Sequence, residues 1–330
     1  MHQNTILKLL RAQEDGTYLS GEELSRALHI TRAAVWKEIQ ALRSEGYEIE
    51  SKTRRGYRLR AAPEAVTPEA LAARIDTKTV GRRILCFDAL DSTNTYAKKA
   101  AQEGAADGLV VIAAEQTGGR GRLGRAFHSP KKGLYLTALL RPDLPGAAVM
   151  PVTALAAVAA TAAVERTCGL RPGIKWTNDL VLGGRKLAGI LTELGLEGES
   201  GRVQYIAVGV GVNVNEDAAD FPPELAPIAT SLALETGAPV SRLALAAALI
   251  EELDKAYAAL GGDLGVYRRA YRENCVTLGR EVRILGGGAE RRGLAEDVDE
   301  DFGLIVRRTD GARETVRSGE VSVRGLYGYV

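Results

Sequence analysis

The chain has 330 residues, 45% of them hydrophobic, enough for two or three folded domains with buried cores. Lys and Arg number 43 against 42 Asp and Glu, a net charge of +1, which excludes any global attraction to nucleic acid or membrane and makes every basic site a local one. Cys86, Cys168 and Cys275 are odd in number and far apart, which excludes a disulfide framework and fits a reducing cytoplasm; neither they nor His2, His29 and His128 show zinc-ligand spacing.

The N-terminal MHQNTILKLLRAQEDG meets charge too early for a signal core. Ile6, Leu7, Leu9 and Leu10 predict a first helix over residues 4–13, broken at Glu14-Asp15-Gly16. Ser20 with Glu23 forms a capping-box pattern opening a second helix that ends near Leu28. Thr31 caps a third, Arg32 to Glu45, with Val35, Trp36, Ile39 and Leu42 expected on its apolar face, so that Trp36 reads as a core anchor. Gly46 stops that helix, and residues 47–50 with 56–59 read as a hairpin whose tip, Ser51-Lys52-Thr53-Arg54-Arg55, is basic. Two helices joined by His29-Ile30 and followed by a basic hairpin make a winged helix-turn-helix.

Residues 1–60 carry eleven Lys and Arg against eight Asp and Glu, an excess of three positive charges concentrated at the wing tip. Thr31, Arg32, Ala33 and Ala34 are expected to begin the recognition helix, the part that reaches base edges, Lys37 to contact DNA from the same helix, and Lys52, Arg54 and Arg55 to neutralise phosphates. Binding is expected as a dimer on two half-sites, with steep salt dependence.

The two prolines of AAPEAVTP at 61–68 suit a domain boundary, drawn after residue 62. Strand-like runs at 84–87, 110–114, 134–140, 187–194 and 203–214 interleave with helices near 93–103, 149–167 and 241–260, which predicts an α+β chain whose central mixed α/β domain, 63–274, has a largely antiparallel sheet. The Ala-rich run Val149 to Val164 is expected to be too short to span a bilayer and to form a buried helix. From residue 275 to 330, β-branched residues alternate with turns at Gly286-Gly287-Gly288, Asp301-Phe302-Gly303 and Asp310-Gly311, the spacing of a small β barrel.

Gly119-Arg120-Gly121-Arg122-Leu123-Gly124 matches the G-x-G-x-x-G pattern, but it runs into Pro130 and a strand instead of opening a helix, so a Rossmann nucleotide site is rejected. A glycine-flexible loop carrying Arg120, Arg122 and Arg125 suits closure over a polyphosphate or acyl phosphate; taken alone, it reads also as a solvated basic loop. It is accompanied by Asp91-Ser92-Thr93-Asn94, Glu115-Gln116-Thr117, Lys175-Trp176-Thr177-Asn178-Asp179, Gly184-Arg185-Lys186-Leu187-Ala188-Gly189-Ile190 and Val208-Gly209-Val210-Gly211-Val212-Asn213. In this order these segments resemble the biotin protein ligase family, over nearly the whole chain. Repressor-type members also have a winged helix in front and a small SH3-like barrel behind. Thr177 stands where the family usually has proline.

The resemblance implies an enzyme that condenses biotin with ATP to biotinyl-5′-AMP and transfers biotin to a lysine of a carrier protein, a subunit of acetyl-CoA carboxylase or another biotin-dependent carboxylase. It implies Lys186, Arg120, Arg122 and Asp179 as catalytic residues. Ser92, Thr93, Asn94, Gln116, Gly119, Gly189, Leu191, Gly209 and Gly211 would line the biotin site together with Arg120, Arg122 and Lys186. Arg122, Arg125, Phe127, Asn178, Lys186 and Asn213 would hold ATP or the adenylate, and Asp179 would be a ligand or neighbour of Mg²⁺. It further implies a homodimer formed when the adenylate is bound, repression of a biotin operon through the winged helix, and no membrane association. Two other readings remain open at this level: a ligand-sensing repressor without ligase turnover, and an acyl transferase of the related lipoate class.

Overall fold

The computed structural model describes residues 2–13, 17–44, 47–61, 65–198, 200–285, 291–317 and 322–325. The helix breaks expected at residues 14–16 and at Gly46, the domain boundary after residue 62 and the turn at 286–288 lie outside them.

Helices α1 (His2–Arg11), α2 (Gly21–Leu28) and α3 (Arg32–Ser44) precede the hairpin of β1 (Glu48–Lys52) and β2 (Gly56–Ala61). The capping box is formed: Ser20 Oγ accepts from Glu23 N at 3.1 Å while Glu23 returns a carboxylate to Ser20 N at 2.8 Å. His29 then takes a left-handed conformation, turning the chain, and Thr31 Oγ1 accepts from Ala34 N to open α3. Ile6, Leu24, Val35, Ile39, Leu42 and Ile49 close a separate small core. Trp36 does not join it. The buried stripe of α3 runs 35, 39, 42, and a residue one position on from Val35 is turned by about 100°, which leaves Trp36 58% exposed.

The central domain opens with α4 (Pro68–Ala72), β3 (Arg83–Phe87), α5 (Thr93–Gln102), β4 (Leu109–Ala113), β5 (Leu134–Leu140) and α6 (Val152–Cys168). It continues through β6 (Gly173–Lys175), β7 (Asp179–Leu182), β8 (Arg185–Leu196), β9 (Val203–Val212), α7 (Leu232–Thr236), α8 (Arg242–Ala259) and α9 (Gly265–Asn274). Seven strands pair in the order β3-β4-β5-β9-β8-β7-β6, and every pairing except β3 with β4 is antiparallel. Alternation along the strands gives the sheet two unlike faces. Leu134, Leu136, Ala138 and Leu140 of β5, with Ile206, Val208, Val210 and Val212 of β9, enter the main core with α6 and α8. The intervening residues face the other way: Tyr135 on β5 and Gly209 and Gly211 on β9 line the site, and Thr137 on β5 is buried beneath it.

The Ala-rich run departs from its expected length. Gly146–Cys168 is long and apolar enough to cross a membrane by length and composition, but 72% of that apolar window is buried within the fold. Small side chains let α6 lie close against both the sheet and α8.

Strands β10 (Glu281–Leu285), β11 (Arg291–Val298), β12 (Leu304–Arg308), β13 (Arg313–Val316) and β14 (Ser322–Gly325) form an antiparallel sheet in the order β13-β12-β11-β10-β14. Its buried residues, Val282, Ile284, Ala295, Val298, Phe302 and Leu304 among them, belong to the same core cluster as the central sheet. Trp176 fastens the two: its indole donates to Phe302 O at 2.9 Å and its backbone N–H to Thr277 Oγ1 at 2.9 Å.

Candidate active site

A cavity of about 630 Å³ lies on the glycine-bearing face of the sheet. That is the volume of a site for a small organic ligand. Its floor exists because the strands carry no side chains there. A Cβ on Gly209 would stand 2.0 Å from Asn94 Oδ1, and one on Gly211 2.7 Å from the Phe127 ring.

At one end, residues from the start of α5 interlock with β5 and the following loops. Thr137 Oγ1 donates to Asn94 Oδ1 at 2.7 Å and lies at hydrogen-bond distance, 2.8 Å, from the Thr93 hydroxyl; Asn94 Nδ2 donates to Leu191 O and to Glu193. Gln116 Oε1 accepts from Thr93 N and its amide donates to Ser129 Oγ. Ser92 caps α5 by accepting from Thr95 N. This end is polar but fully cross-braced, so its groups stay fixed in place to meet a polar ring.

At the other end are the cations. Lys186 Nζ donates to Asp179 Oδ1 at 2.8 Å; Asn178 Nδ2 approaches the same oxygen at 3.3 Å; Arg122 Nη1 donates to Asn178 Oδ1 at 3.0 Å. A continuous polar chain therefore links β8, the β6–β7 turn and the arginine loop. The turn passes through a cis Trp176–Thr177 peptide bond. Burial lowers the pKa of Arg122 from its ordinary value and the Asp179 carboxylate opposes that shift. Lys186 Nζ also sits 5.7 Å from the centre of the Phe127 ring, a cation–π distance. The backbone of Lys186 is held from outside the sheet: its N–H donates to Ile228 O at 2.7 Å and its carbonyl accepts from Thr230 N at 2.9 Å.

All the residues expected at the biotin and adenylate sites line this cavity except Gly119. Gly119 lies behind the wall, where a Cβ would meet Phe127 O and Ser129 Oγ at 2.4 Å. Asn213 lines the wall, yet its amide nitrogen donates to Thr230 O at 2.9 Å and reaches Lys186 O at 3.4 Å, which braces the strand carrying Lys186. Sequence reading missed Ala126, His128, Tyr135, Phe221, Leu225, Ile228, Ala229 and Arg283, which also line the cavity. Of the residues expected on DNA, Thr31 at the start of α3, Arg32, Ala33 and Lys37 on it and Lys52, Arg54 and Arg55 at the wing are exposed, and Ala34 is half-buried.

Among the described residues no group of three or more His, Cys, Asp or Glu is placed to hold a metal. The cavity's carboxylate, Asp179, already accepts from Lys186. Such a donor set fits a Mg²⁺ that arrives on nucleotide phosphates and takes one carboxylate at most, not a protein cage.

The Biotin/lipoate A/B protein ligase family model matches residues 86–213, an HTH domain model residues 2–58, and the Biotin protein ligase C terminal domain model residues 277–324. The chain is 38% identical to the Bifunctional ligase/repressor BirA of Bacillus subtilis (strain 168), over 92% of this chain and 94% of that one. It is 30% identical to the Bifunctional ligase/repressor BirA of Escherichia coli (strain K12), over 98% and 99%. In structure it resembles the biotin protein ligase from Aquifex aeolicus solved in complex with biotin and ATP, with a TM-score of 0.64 at 25% identity, covering 74% of this chain and 99% of that one. The glycine-floored cavity, the arginine loop and the Lys186–Asp179 pair thus stand in a chain that belongs to the biotin protein ligase family.

Proposed function

We propose that this chain is an ATP-dependent biotin protein ligase and a biotin-responsive transcriptional repressor. The observation that carries the reading is the polar chain Lys186–Asp179–Asn178–Arg122 across one end of a glycine-floored cavity whose other end is braced and polar. Biotin's carboxylate, with an acid pKa of about 4.3, is ionised at neutral pH and needs no base. Its obstacle is repulsion by the phosphates. Arg120, Arg122, Arg125 and Lys186 supply the fixed positive charge for that encounter. A carboxylate oxygen bonds to the α-phosphorus, the bond to the bridging oxygen breaks, and pyrophosphate leaves with the electron pair. Mg²⁺ brought in on the phosphates would add charge neutralisation there, and Asp179 is the residue that would hold it.

In the second step an uncharged lysine amine of the carrier attacks the acyl carbon and AMP departs. The amine's reference pKa of about 10.4 leaves little of it neutral at pH 7, so a nearby group must receive or steer its proton. Asp179 is assigned that role, with Lys186 fixing its orientation. Ser92, Thr93, Asn94, Gln116, Gly189, Leu191, Gly209 and Gly211 are assigned to biotin, with Gly119 shaping the wall. Phe127, Asn178 and Asn213 are assigned to the adenylate end.

The chain divides into a DNA-binding domain at 1–62, a ligase domain at 63–274 and a barrel at 275–330. We place it in the cytoplasm, with no membrane partner. Adenylate occupancy orders the loops over the cavity and favours a side-by-side homodimer, which presents two winged helices to two operator half-sites. The carrier is a biotin carboxyl carrier protein. Pyrophosphate release on mixing the chain with ATP, Mg²⁺ and biotin, and none with lipoate in place of biotin, is the expected outcome. Biotin binding without pyrophosphate would leave only the sensor.

A further inference from the structure

Trp36 is the large hydrophobic residue that the winged helix exposes among its described residues, at 58% of its surface. Its surroundings are those of the helix expected to face DNA: Arg32, Ala33 and Lys37 are exposed beside it, and the exposed wing tip carries Lys52, Arg54 and Arg55. The indole is not loose. With the Gln40 amide oxygen turned toward it, Trp36 Nε1 donates at 3.3 Å and Arg43 Nη1 donates to the same oxygen at 3.0 Å. Arg43 in turn donates through Nε to Ile49 O at 2.9 Å and through Nη2 to Ser51 Oγ at 2.6 Å. One chain of hydrogen bonds therefore runs from the indole on α3 to β1 of the wing, fixing the ring relative to the second DNA-facing element.

We propose that Trp36 is a specificity-determining residue that reads a thymine C5-methyl group in the major groove of duplex DNA. The inference rests on the DNA-binding reading of the winged helix and extends it. Because Gln40 takes the indole N–H, what the ring offers outward is apolar surface. In the major groove the apolar feature that distinguishes one base from the others is the thymine methyl. The flanking Arg32 and Lys37 supply the charge complementarity that brings phosphate-rich duplex to this face.

The test uses the full chain saturated with biotinyl-5′-AMP and a duplex that the wild type enriches from a randomised pool. Each thymine is replaced in turn by deoxyuridine, which removes only the methyl. One thymine per half-site is expected at which this replacement weakens the wild type about fourfold, the effect of one buried methyl. Trp36→Ala is expected to bind the parent duplex about 10- to 100-fold more weakly, to be indifferent to deoxyuridine at that position, and to keep the wild-type salt slope, since no phosphate contact is lost. Trp36→Phe, which keeps an apolar ring, should retain most of the methyl sensitivity. The proposal is overturned by a wild type insensitive to deoxyuridine everywhere, by a Trp36→Ala chain equally sensitive, or by a reduced salt slope. A pool that yields no enriched sequence would bring down the DNA-binding reading itself, a different failure from enrichment without methyl sensitivity.

Discussion

Glycine, a residue usually read as conformational slack, sets the shape of this site by absence of mass. Gly209→Ala places a methyl against Asn94 Oδ1, and that oxygen is already engaged by Thr137, so Asn94 must give way. We expect biotin affinity to fall by at least about tenfold, from one displaced and unsatisfied buried polar group, while ATP affinity holds; calorimetry with each ligand separates the two. Glu216 makes a different demand. Its side chain is wholly buried beside Tyr135, Oε2 has no hydrogen-bond partner, and burial raises its carboxyl to about 7. Backbone N–H donors and Arg242 pull the other way, and Asp220 adds to the rise. The folded chain keeps this proton to higher pH than the unfolded chain. Its stabilising contribution is therefore complete below the unfolded carboxyl pKa and is lost as pH rises through about 7, up to roughly 3 kcal/mol. Urea midpoints should fall between about pH 4.5 and pH 7 and level off above that in the wild type, and fall less in Glu216→Gln, the difference reporting this one group. Equal slopes would remove Glu216 as the cause.

At the scale of elements, the parts legible in the sequence are those whose signal is local. The capping box of α2 was readable as Ser20 and Glu23, and Ser20→Ala should cost the winged helix about 1 kcal/mol, seen as a lower unfolding midpoint for that module with ligase turnover unchanged. Strand β5 was readable to the residue because its seven positions, apolar except for Thr137, are flanked by breakers. Strands β6 and β7, at three and four residues, are too short to show a period, and the ten residues of α9 are mostly polar. Trp36 misled because a helical apolar stripe has edges: hydrophobicity places a residue near the core face, and one step of rotation decides whether it enters. In the site, the glycines, arginines and Lys186 were legible through their motifs. Phe221, Leu225, Ile228 and Ala229 were not, because they reach the cavity by a loop that folds back to pair with Lys186, a tertiary event with no periodic trace.

Across the whole molecule, the cores divide unequally. The winged helix closes a core of its own, whereas the central sheet and the C-terminal barrel share one. Deleting residues 1–62 should leave ligase turnover intact and abolish DNA binding. Ending the chain at residue 276 should expose Trp176 and strip Val282, Ile284 and Phe302 from the shared core, with loss of cooperative unfolding and of turnover. The function of the whole molecule turns on the cavity being a place of reaction. Its most direct test is transfer of biotin to the lysine of a biotin carrier domain, in the presence of ATP and Mg²⁺, by the wild type and by Lys186→Ala. The prediction is transfer by the wild type and a loss of about 100-fold or more in the variant, the scale of removing one charge-stabilising group. A wild type that binds biotin tightly and transfers none, or a Lys186→Ala chain that transfers as well as the wild type, would contradict it.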